Sequence, residues 1–241
     1  MNKNRETMFH FKQFSLSNSL SAMKVGTDGV LLGAWAQPAD ASSCVGVLDI
    51  GCGTGVIGLM IAQRYPDAAV TCIDISPEAV EECAENISRS PFAGRVVVCR
   101  ADFMDYVAGR KFELIVSNPP FFTEQLHSPD PLRAKARHDD SLPLAALMRG
   151  SASLLSPGGR LALVLPAGRD DEALLEASLA GLNAVRRCRV YTRDGKPSRR
   201  TLWEFASEAG CCAEERLVIQ NADGSYTDGY KALVKDFYLG F

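Results

Sequence analysis

The chain has 241 residues, of which 46% are hydrophobic and 23% are charged, and its formal net charge is −3. This length supports one large core, and the small negative charge argues against a protein that binds nucleic acid over its whole surface. No apolar run approaches the ~20 residues that a membrane span needs, and no apolar signal-peptide core follows the polar N-terminus. The sequence therefore predicts a cytoplasmic protein without a membrane-spanning segment.

The eight cysteines and three histidines are scattered along the chain, with no Cys-x-x-Cys pair. In a reducing compartment such cysteines are more often buried free thiols than disulfide partners or metal ligands. We therefore expect neither disulfides nor a metal site.

The predicted elements alternate between short apolar strands and helices. Phe9 and Phe11 predict a strand or hairpin in an N-terminal extension, residues 1–40, that packs on a domain formed by residues 41–241. In that domain, strands are predicted at 45–50, 70–74, 96–99, 112–116 and 161–165, and helices at 56–65, 76–89 and 141–155. A helix at about 170–181 then precedes strands at 187–192, 201–206 and 216–219 and a final helix at about 227–238. This order predicts an α/β fold: a mostly parallel sheet of about seven strands with helices on both faces and an antiparallel hairpin at one edge.

A glycine loop, DIGCGTG at residues 49–55, follows the first of these strands and opens a helix. Glycines there let the backbone turn sharply and approach a ligand closely. Three glycines starting at Gly53 fit the dinucleotide fingerprint G-x-G-x-x-G, but in that fingerprint the first glycine follows the strand directly, and here that residue is Gly51. The register therefore argues against a nicotinamide cofactor. The pattern D-x-G-x-G-x-G instead resembles the first motif of class I methyltransferases, which have a Rossmann-like fold and use S-adenosylmethionine.

Acidic residues stand at the ends of three successive predicted strands. An acid at Asp49 suits the ammonium group of that cofactor, and Asp74 suits the ribose diol. Asp102 suits the adenine amine, with Phe103 against the ring. The alternative is that Asp74 and Asp102 only cap the elements that come after them. The candidate cofactor-binding residues of these stretches are Asp49, Gly51, Gly53, Gly55, Asp74, Ile75, Asp102 and Phe103.

A polar hook, SNPPFF at residues 117–122, ends the predicted strand at 112–116. Two prolines cannot donate to a sheet, so a plain strand stop is one interpretation. The hook also resembles the N-P-P-[YF] motif of methyltransferases that modify planar amino groups. In that interpretation the Asn118 side-chain oxygen and the Pro119 carbonyl accept hydrogen bonds from one NH₂ group, close to the cofactor. Pro120 keeps these acceptors rigid and Phe121 stacks on the target, without the hydroxyl of the tyrosine that is common there.

Further stretches carry a more specific resemblance: FHFKQF at 9–14, MKVGTDGVLLGAW at 23–35 and RLVIQNADGSYTDGYKALVKDFYL at 216–239. With the glycine loop and the hook, they resemble bacterial methyltransferases of the exocyclic amine of adenosine 37 in a valine tRNA, almost end to end. The resemblance implies that same reaction and a tRNA partner. It also implies that Lys24, Thr27 and Asp28 lie near the methionine tail or the target base. The alternative is that Thr27, Asp28 and Gly29 form no more than a helix N-cap.

Basic residues are concentrated at 133–138 and 186–200. They form either ordinary solvated surfaces or local positive patches that contact tRNA phosphates. We predict tRNA contacts from Arg133, Lys135, Arg137, Arg193, Lys196, Arg199 and Arg200.

Two other classes of function remain open from the sequence. One is a methyltransferase for another planar amine, in ribosomal RNA, DNA or a protein glutamine. The other is a non-catalytic module that binds the cofactor or RNA. The sequence leaves the oligomeric state open.

Overall fold

The computed structural model describes residues 8–21, 24–40, 45–120 and 142–241, which form ten strands and six α-helices. The strands are β1 (Met8–His10), β2 (Ser15–Ser17), β3 (Gly46–Ile50), β4 (Ala69–Asp74), β5 (Val96–Arg100), β6 (Phe112–Ser117), β7 (Leu155–Pro166), β8 (Asn183–Arg193), β9 (Arg200–Ala206) and β10 (Ala213–Gln220). The helices are α1 (Thr27–Trp35), α2 (Val56–Arg64), α3 (Pro77–Arg89), α4 (Leu144–Leu154), α5 (Asp170–Leu179) and α6 (Asp228–Val234). Short 3₁₀ turns lie at Phe103–Asp105 and Ala167–Arg169.

Eight of these strands form one sheet in the order β10-β8-β9-β7-β6-β3-β4-β5. The five strands from β3 to β7 pair in parallel, β9 is antiparallel to both β7 and β8, and β10 is parallel to β8. The predicted mostly parallel α/β fold is confirmed. The predicted hairpin is β8–β9, but it does not end the sheet, because β10 pairs along the outer side of β8.

The strand sequences explain why the sheet is covered on both faces. Every residue of β3 is buried, as are Leu114 to Ser117 of β6. In β7, Leu161, Leu163 and Leu165 belong to one apolar cluster with α4 and α5, whereas Ala162 and Val164 belong to another with α1 and α2. Continuous apolar runs of this kind are typical of parallel strands between two helical layers.

The N-terminal residues pack on the rest of the chain as a two-stranded hairpin. β1 and β2 are antiparallel, with Phe9 opposite Leu16. Phe11 stacks on Tyr238, with ring centroids 5.9 Å apart, and the Glu82 carboxylate of α3 accepts hydrogen bonds from the amides of Leu20 and Ser21. The expected N-terminal hairpin is therefore present, while the division at residue 40 stays a prediction.

The cysteines of the described residues are free thiols: Cys52, Cys72, Cys83, Cys99, Cys188, Cys211 and Cys212. Four of them are buried as expected, but Cys99 and Cys211 are exposed and Cys212 is partly exposed. Within the described ranges, no helix has the length and apolar character needed to cross a membrane.

Candidate active site

A cavity of about 1080 Å³ opens where the strand order reverses beside β3, at the carboxyl ends of β3, β4 and β6. In open α/β sheets this is the crevice in which ligands bind. Most of the predicted site residues line it: Lys24, Thr27, Asp28, Gly51, Gly53, Asp74, Ile75, Asp102, Phe103, Asn118, Pro119 and Pro120. Phe121, Arg133, Lys135 and Arg137 lie outside the described residues.

The glycine loop is fastened to the end of β4. The amides of Gly51 and Cys52 donate to the Ile73 carbonyl at 2.9 and 3.0 Å, and the Gly53 amide donates to Asp74 Oδ2 at 2.9 Å. Gly51 and Gly53 have φ values of +68° and +53°, which side-chain-bearing residues rarely adopt. A Cβ at either position would meet no atom within 4 Å, so these glycines leave open space facing the cavity.

Two predicted cofactor residues lie behind this wall. Gly55 is the N-cap of α2 and packs against Cys83, since a Cβ at residue 55 would come 2.6 Å from its sulfur. Asp49 is fully buried, and its Oδ2 accepts from the Gly58 amide at 2.9 Å. Its Oδ1 has no hydrogen-bond partner among the described residues. Burial raises the pKa of Asp49 well above its ordinary value, despite the hydrogen bond from Gly58.

Asp74 and Asp102 both line the cavity, and each also caps the turn after its strand. Asp74 Oδ1 accepts from the Ser76 amide at 3.0 Å, and Asp102 Oδ1 accepts from the Met104 amide at 2.9 Å. Each carboxylate oxygen has more than one lone pair, so these bonds leave acceptor capacity for a ligand. The capping interpretation and the ligand interpretation are therefore compatible.

The apolar wall beside these acids comes from Ile75 and Phe103. Ile75 is 49% exposed, whereas Phe103 is buried against α4. The contact with α4 depends on Gly150, where a Cβ would come 2.7 Å from Phe103 Cε1. This arrangement offers a flat aryl group a hydrophobic surface next to a carboxylate.

The hook begins beside the glycine loop. Ile50 and Ser117 are paired in the β3–β6 register, and Ser117 Oγ donates to the Ile50 carbonyl at 2.8 Å. The next residues of the two strands, Gly51 and Asn118, therefore leave the sheet side by side. Asn118 and the glycine loop consequently line the same cavity.

The segment before β3 closes another side of the cavity. Lys24 Nζ donates to the Ser19 carbonyl at 3.0 Å. Gly26, rather than Thr27 or Asp28, is the N-cap residue of α1, so the capping interpretation of those two residues is wrong. Asp28 Oδ2 instead accepts from Arg200 Nε at 2.7 Å.

The four described basic residues of the predicted tRNA surface fall into two groups. Arg193, Lys196 and Arg199 are exposed on the connection from β8 to β9. Arg200 is only partly exposed because it pairs with Asp28 at the cavity wall. The structure thus connects this basic loop to the cavity, which the sequence did not indicate, since Asp28 and Arg200 are 172 positions apart.

The sequence analysis also did not predict a cluster of three thiols. Cys52 of the glycine loop, Cys72 of β4 and Cys83 of α3 have sulfur atoms within 4.8 Å of one another. Hydrogen bonds from Cys52 and Cys72 lower the pKa of Cys83. Only short spacings between cysteines indicate such a cluster in a sequence, and these three come from separate elements.

Comparisons with known proteins define the class of this chain. The family model of the methyltransferase small domain matches residues 30–192. Among solved structures, a predicted O-methyltransferase from Agrobacterium tumefaciens superposes with a TM-score of 0.66 at 20% identity, covering 87% of this chain and 96% of that one. The glycopeptide N-methyltransferase MtfA complexed with S-adenosyl-L-methionine superposes with a TM-score of 0.53 at 12% identity, covering 69% and 89%. The chain belongs to the family of the methyltransferase small domain.

Curated relatives narrow the family further. The tRNA1(Val) (adenine(37)-N6)-methyltransferase of Bacteroides thetaiotaomicron is 42% identical to this chain, over 96% of this chain and 97% of the relative. The enzyme of that name from Porphyromonas gingivalis is 43% identical, over 96% of this chain and 94% of the relative. The enzyme of that name from Aeromonas hydrophila is 41% identical over 98% of each chain. The chain belongs to the family of tRNA1(Val) (adenine(37)-N6)-methyltransferases. The resemblance stated from the sequence is confirmed, and the non-catalytic interpretation is set aside.

Proposed function

We propose that this protein methylates the exocyclic N6 amine of adenosine 37 in a valine tRNA, with S-adenosylmethionine as the methyl donor. The observation that carries the proposal is the pairing of Ile50 with Ser117, which sends the glycine loop and the Asn118–Pro120 hook into one cavity. The relatives' names supply the tRNA and the position of the adenosine.

The cavity residues fit the methyl donor. Open space at Gly51 and Gly53 admits a ligand close to the backbone. Asp74 would accept from the ribose hydroxyls, and Asp102 would accept from the adenine amine beside Ile75 and Phe103. Lys24, Thr27 and Asp28 would surround the methionine tail. Asp49 Oδ1, which no group in the described part of the chain contacts by a hydrogen bond, lies beneath the loop. When bound, the donor supplies a methyl group on a positively charged sulfur.

The hook would prepare the accepting nitrogen. An adenine amine is a weak nucleophile because its lone pair is delocalised into the ring. If the Asn118 side-chain oxygen and the Pro119 carbonyl accept its two hydrogens, the lone pair is turned out of the ring plane. Pro120 restricts the backbone, which keeps the two acceptors oriented. No group needs to remove a proton beforehand, since the nitrogen loses it after accepting the methyl group. Stacking by Phe121 remains part of the proposal and lies outside the described residues.

The basic loop would hold the tRNA. Arg193, Lys196 and Arg199 are exposed cations. Arg200, the next residue of the chain, forms an ion pair with Asp28 and so connects this loop to the wall of the cavity. Such cations contact phosphates without reading sequence. An adenosine in the single-stranded anticodon loop is also easier to extrude than one in a duplex. Arg133, Lys135 and Arg137 are proposed for the same surface from sequence alone.

The test compares two unmodified transcripts of the valine tRNA, one with adenosine 37 and one with guanosine 37. The protein and labelled S-adenosylmethionine are added, and the digested nucleosides are analysed by mass spectrometry. We expect one N6-methyladenosine per adenosine-37 transcript and none in the other. Label in both transcripts would contradict the position, and label only in an added ribosomal RNA, DNA or protein fraction would support the rival substrates.

A further inference from the structure

Three thiols from separate elements meet at the glycine loop: Cys52 belongs to the loop itself, and Cys72 and Cys83 lie behind it. The sulfur atoms of Cys52, Cys72 and Cys83 all lie within 4.8 Å of one another. Cys72 and Cys83 are fully buried, and Cys52 is 5% exposed and lines the cavity wall. The proposed mechanism uses none of these thiols.

We propose that Cys52, Cys72 and Cys83 form a binding site for one thiophilic d¹⁰ metal ion, Zn(II) or Cu(I). Metal–thiolate bonds are about 2.3 Å long, so three sulfurs around one ion stand about 4 Å apart. The observed cluster needs to contract by less than about 1 Å to reach this separation. Thiolates select Zn(II) and Cu(I) over hard cations such as Mg²⁺, which prefer oxygen ligands.

The surrounding backbone keeps the cluster close together. A Cβ at residue 55 would come 2.6 Å from the Cys83 sulfur, and one at residue 58 would come 2.8 Å from the Cys72 sulfur. Gly55 and Gly58 therefore leave the room that these two thiols occupy. Cys52 provides an entry route, because it is the member of the cluster that reaches the cavity wall.

Binding at this site changes no oxidation state. Each thiol that coordinates loses its proton to solvent as its sulfur–metal bond forms, so uptake releases protons and weakens at low pH. The alternative outcome of the test is a cluster of free cysteines that retains no metal ion.

The experiment removes competing thiols first. Thiols outside the cluster compete for soft metal ions, and Cys99 and Cys211 are exposed. The parent protein therefore carries serine at Cys44, Cys99, Cys211 and Cys212. The reduced full-length parent is titrated without oxygen with Zn²⁺ in one arm and Cu⁺ in the other, against a competing chelator. Metal retained after desalting is measured by mass spectrometry.

We expect one equivalent of metal in at least one arm, and the arm that retains it identifies the ion. Cys72→Ser and Cys83→Ser should each weaken the binding at least tenfold. Cys188→Ser, a change at another buried thiol outside the cluster, should leave it unchanged. The proposal fails if neither metal is retained, or if the cluster variants bind as the parent does.

A second measurement does not depend on whether the variants fold. The X-ray absorption spectrum of the loaded parent counts the ligands directly. Three sulfurs at about 2.3 Å support the site, and a first shell made mainly of nitrogen and oxygen overturns it.

Discussion

At the scale of single residues, Asn118 matters most to the proposed methyl transfer. Replacing Asn118 by Ala removes one of two acceptors for the target amine, and we expect kcat to fall by about 10²-fold or more, since misplacement of reacting groups costs that much. Affinity for S-adenosylhomocysteine should stay within a few-fold, because Asp74 and Asp102 are untouched. Steady-state kinetics and calorimetry measure the two effects.

The matched control for this change is Asn183→Ala. Asn183 is exposed and donates to the Ser207 carbonyl, far along β8 from the cavity. It should leave kcat unaltered. A fully active Asn118→Ala enzyme would contradict the mechanism.

Asp74 should determine cofactor affinity rather than turnover of the bound amine. Hydrogen bonds to charged groups contribute about 1.5–3 kcal/mol, so Asp74→Asn should weaken binding of S-adenosylhomocysteine by about 10–100-fold. Calorimetry measures this, with Asp223→Asn in an exposed turn as the control. Equal affinities for the wild type and Asp74→Asn would remove Asp74 from the ribose site.

Replacing Gly150 tests whether the position of the Phe103 ring matters for cofactor binding. A methyl group at residue 150 would come 2.7 Å from the Phe103 ring, so Gly150→Ala must displace the ring or α4. We expect affinity for S-adenosylhomocysteine to fall several-fold in calorimetry. Gly168→Ala, where a Cβ meets nothing within 4 Å, should have no effect. Unchanged affinity in Gly150→Ala would mean that Phe103 does not hold the cofactor.

Much of the site could be predicted at this scale, and the failures have physical reasons. Asp74, Asp102 and Asn118 were predictable because parallel strands bring their carboxyl ends to one edge. The pairing of Asp28 with Arg200 was not predictable, since no local pattern connects residues so far apart in the chain. Asp49 was placed correctly at a strand end, but its burial behind the loop depends on how α2 packs.

At the scale of elements, α3 holds the N-terminal segment over the cavity through Glu82. Burial raises the pKa of Glu82, but hydrogen bonds from Ser21 and from the amides of Leu20 and Ser19 lower it to about 2, from an ordinary 4.5. Because the folded pKa is depressed, this stabilisation is present above pH 4.5 and is lost as the pH falls from about 4.5 to about 2.

Thermal melts across that pH range test the Glu82 anchor. The wild type should lose up to roughly 3 kcal/mol more stability than Glu82→Gln over the range. Glu85→Gln, on the exposed side of the same helix, should follow the wild type. Parallel curves for the wild type and Glu82→Gln would show that the anchor contributes nothing.

The β8–β9 connection is the element that we expect to bind RNA. Reversing the charges of Arg193, Lys196 and Arg199 to Glu should raise KM for tRNA at least tenfold and flatten its salt dependence, because fewer phosphates are neutralised. Arg200 is left intact because it pairs with Asp28 at the cavity. Affinity for S-adenosylhomocysteine should not change, and unaltered tRNA kinetics would exclude this loop from the interface.

At the scale of the whole molecule, alternation of strands and helices predicted the sheet, but not its outer edge. α2 joins β3 to β4, α3 joins β4 to β5 and α4 precedes β7, and helices of this length let the chain cross over between parallel strands. β8, β9 and β10 are joined without such helices, so local pattern did not tell whether β10 pairs with β8 or β9. Tertiary packing therefore determines the position of β10 in the sheet. Leu217 of β10, for example, belongs to the same apolar cluster as the buried residues of α6.

The most direct measurement is a crystal structure of the protein with S-adenosylhomocysteine. We expect the ligand in the cavity between the glycine loop and Asp102, with its sulfur facing the side-chain oxygen of Asn118. A sulfur that points away from Asn118, or a ligand bound elsewhere, would contradict the central claim that the two strand ends bring donor and amine together.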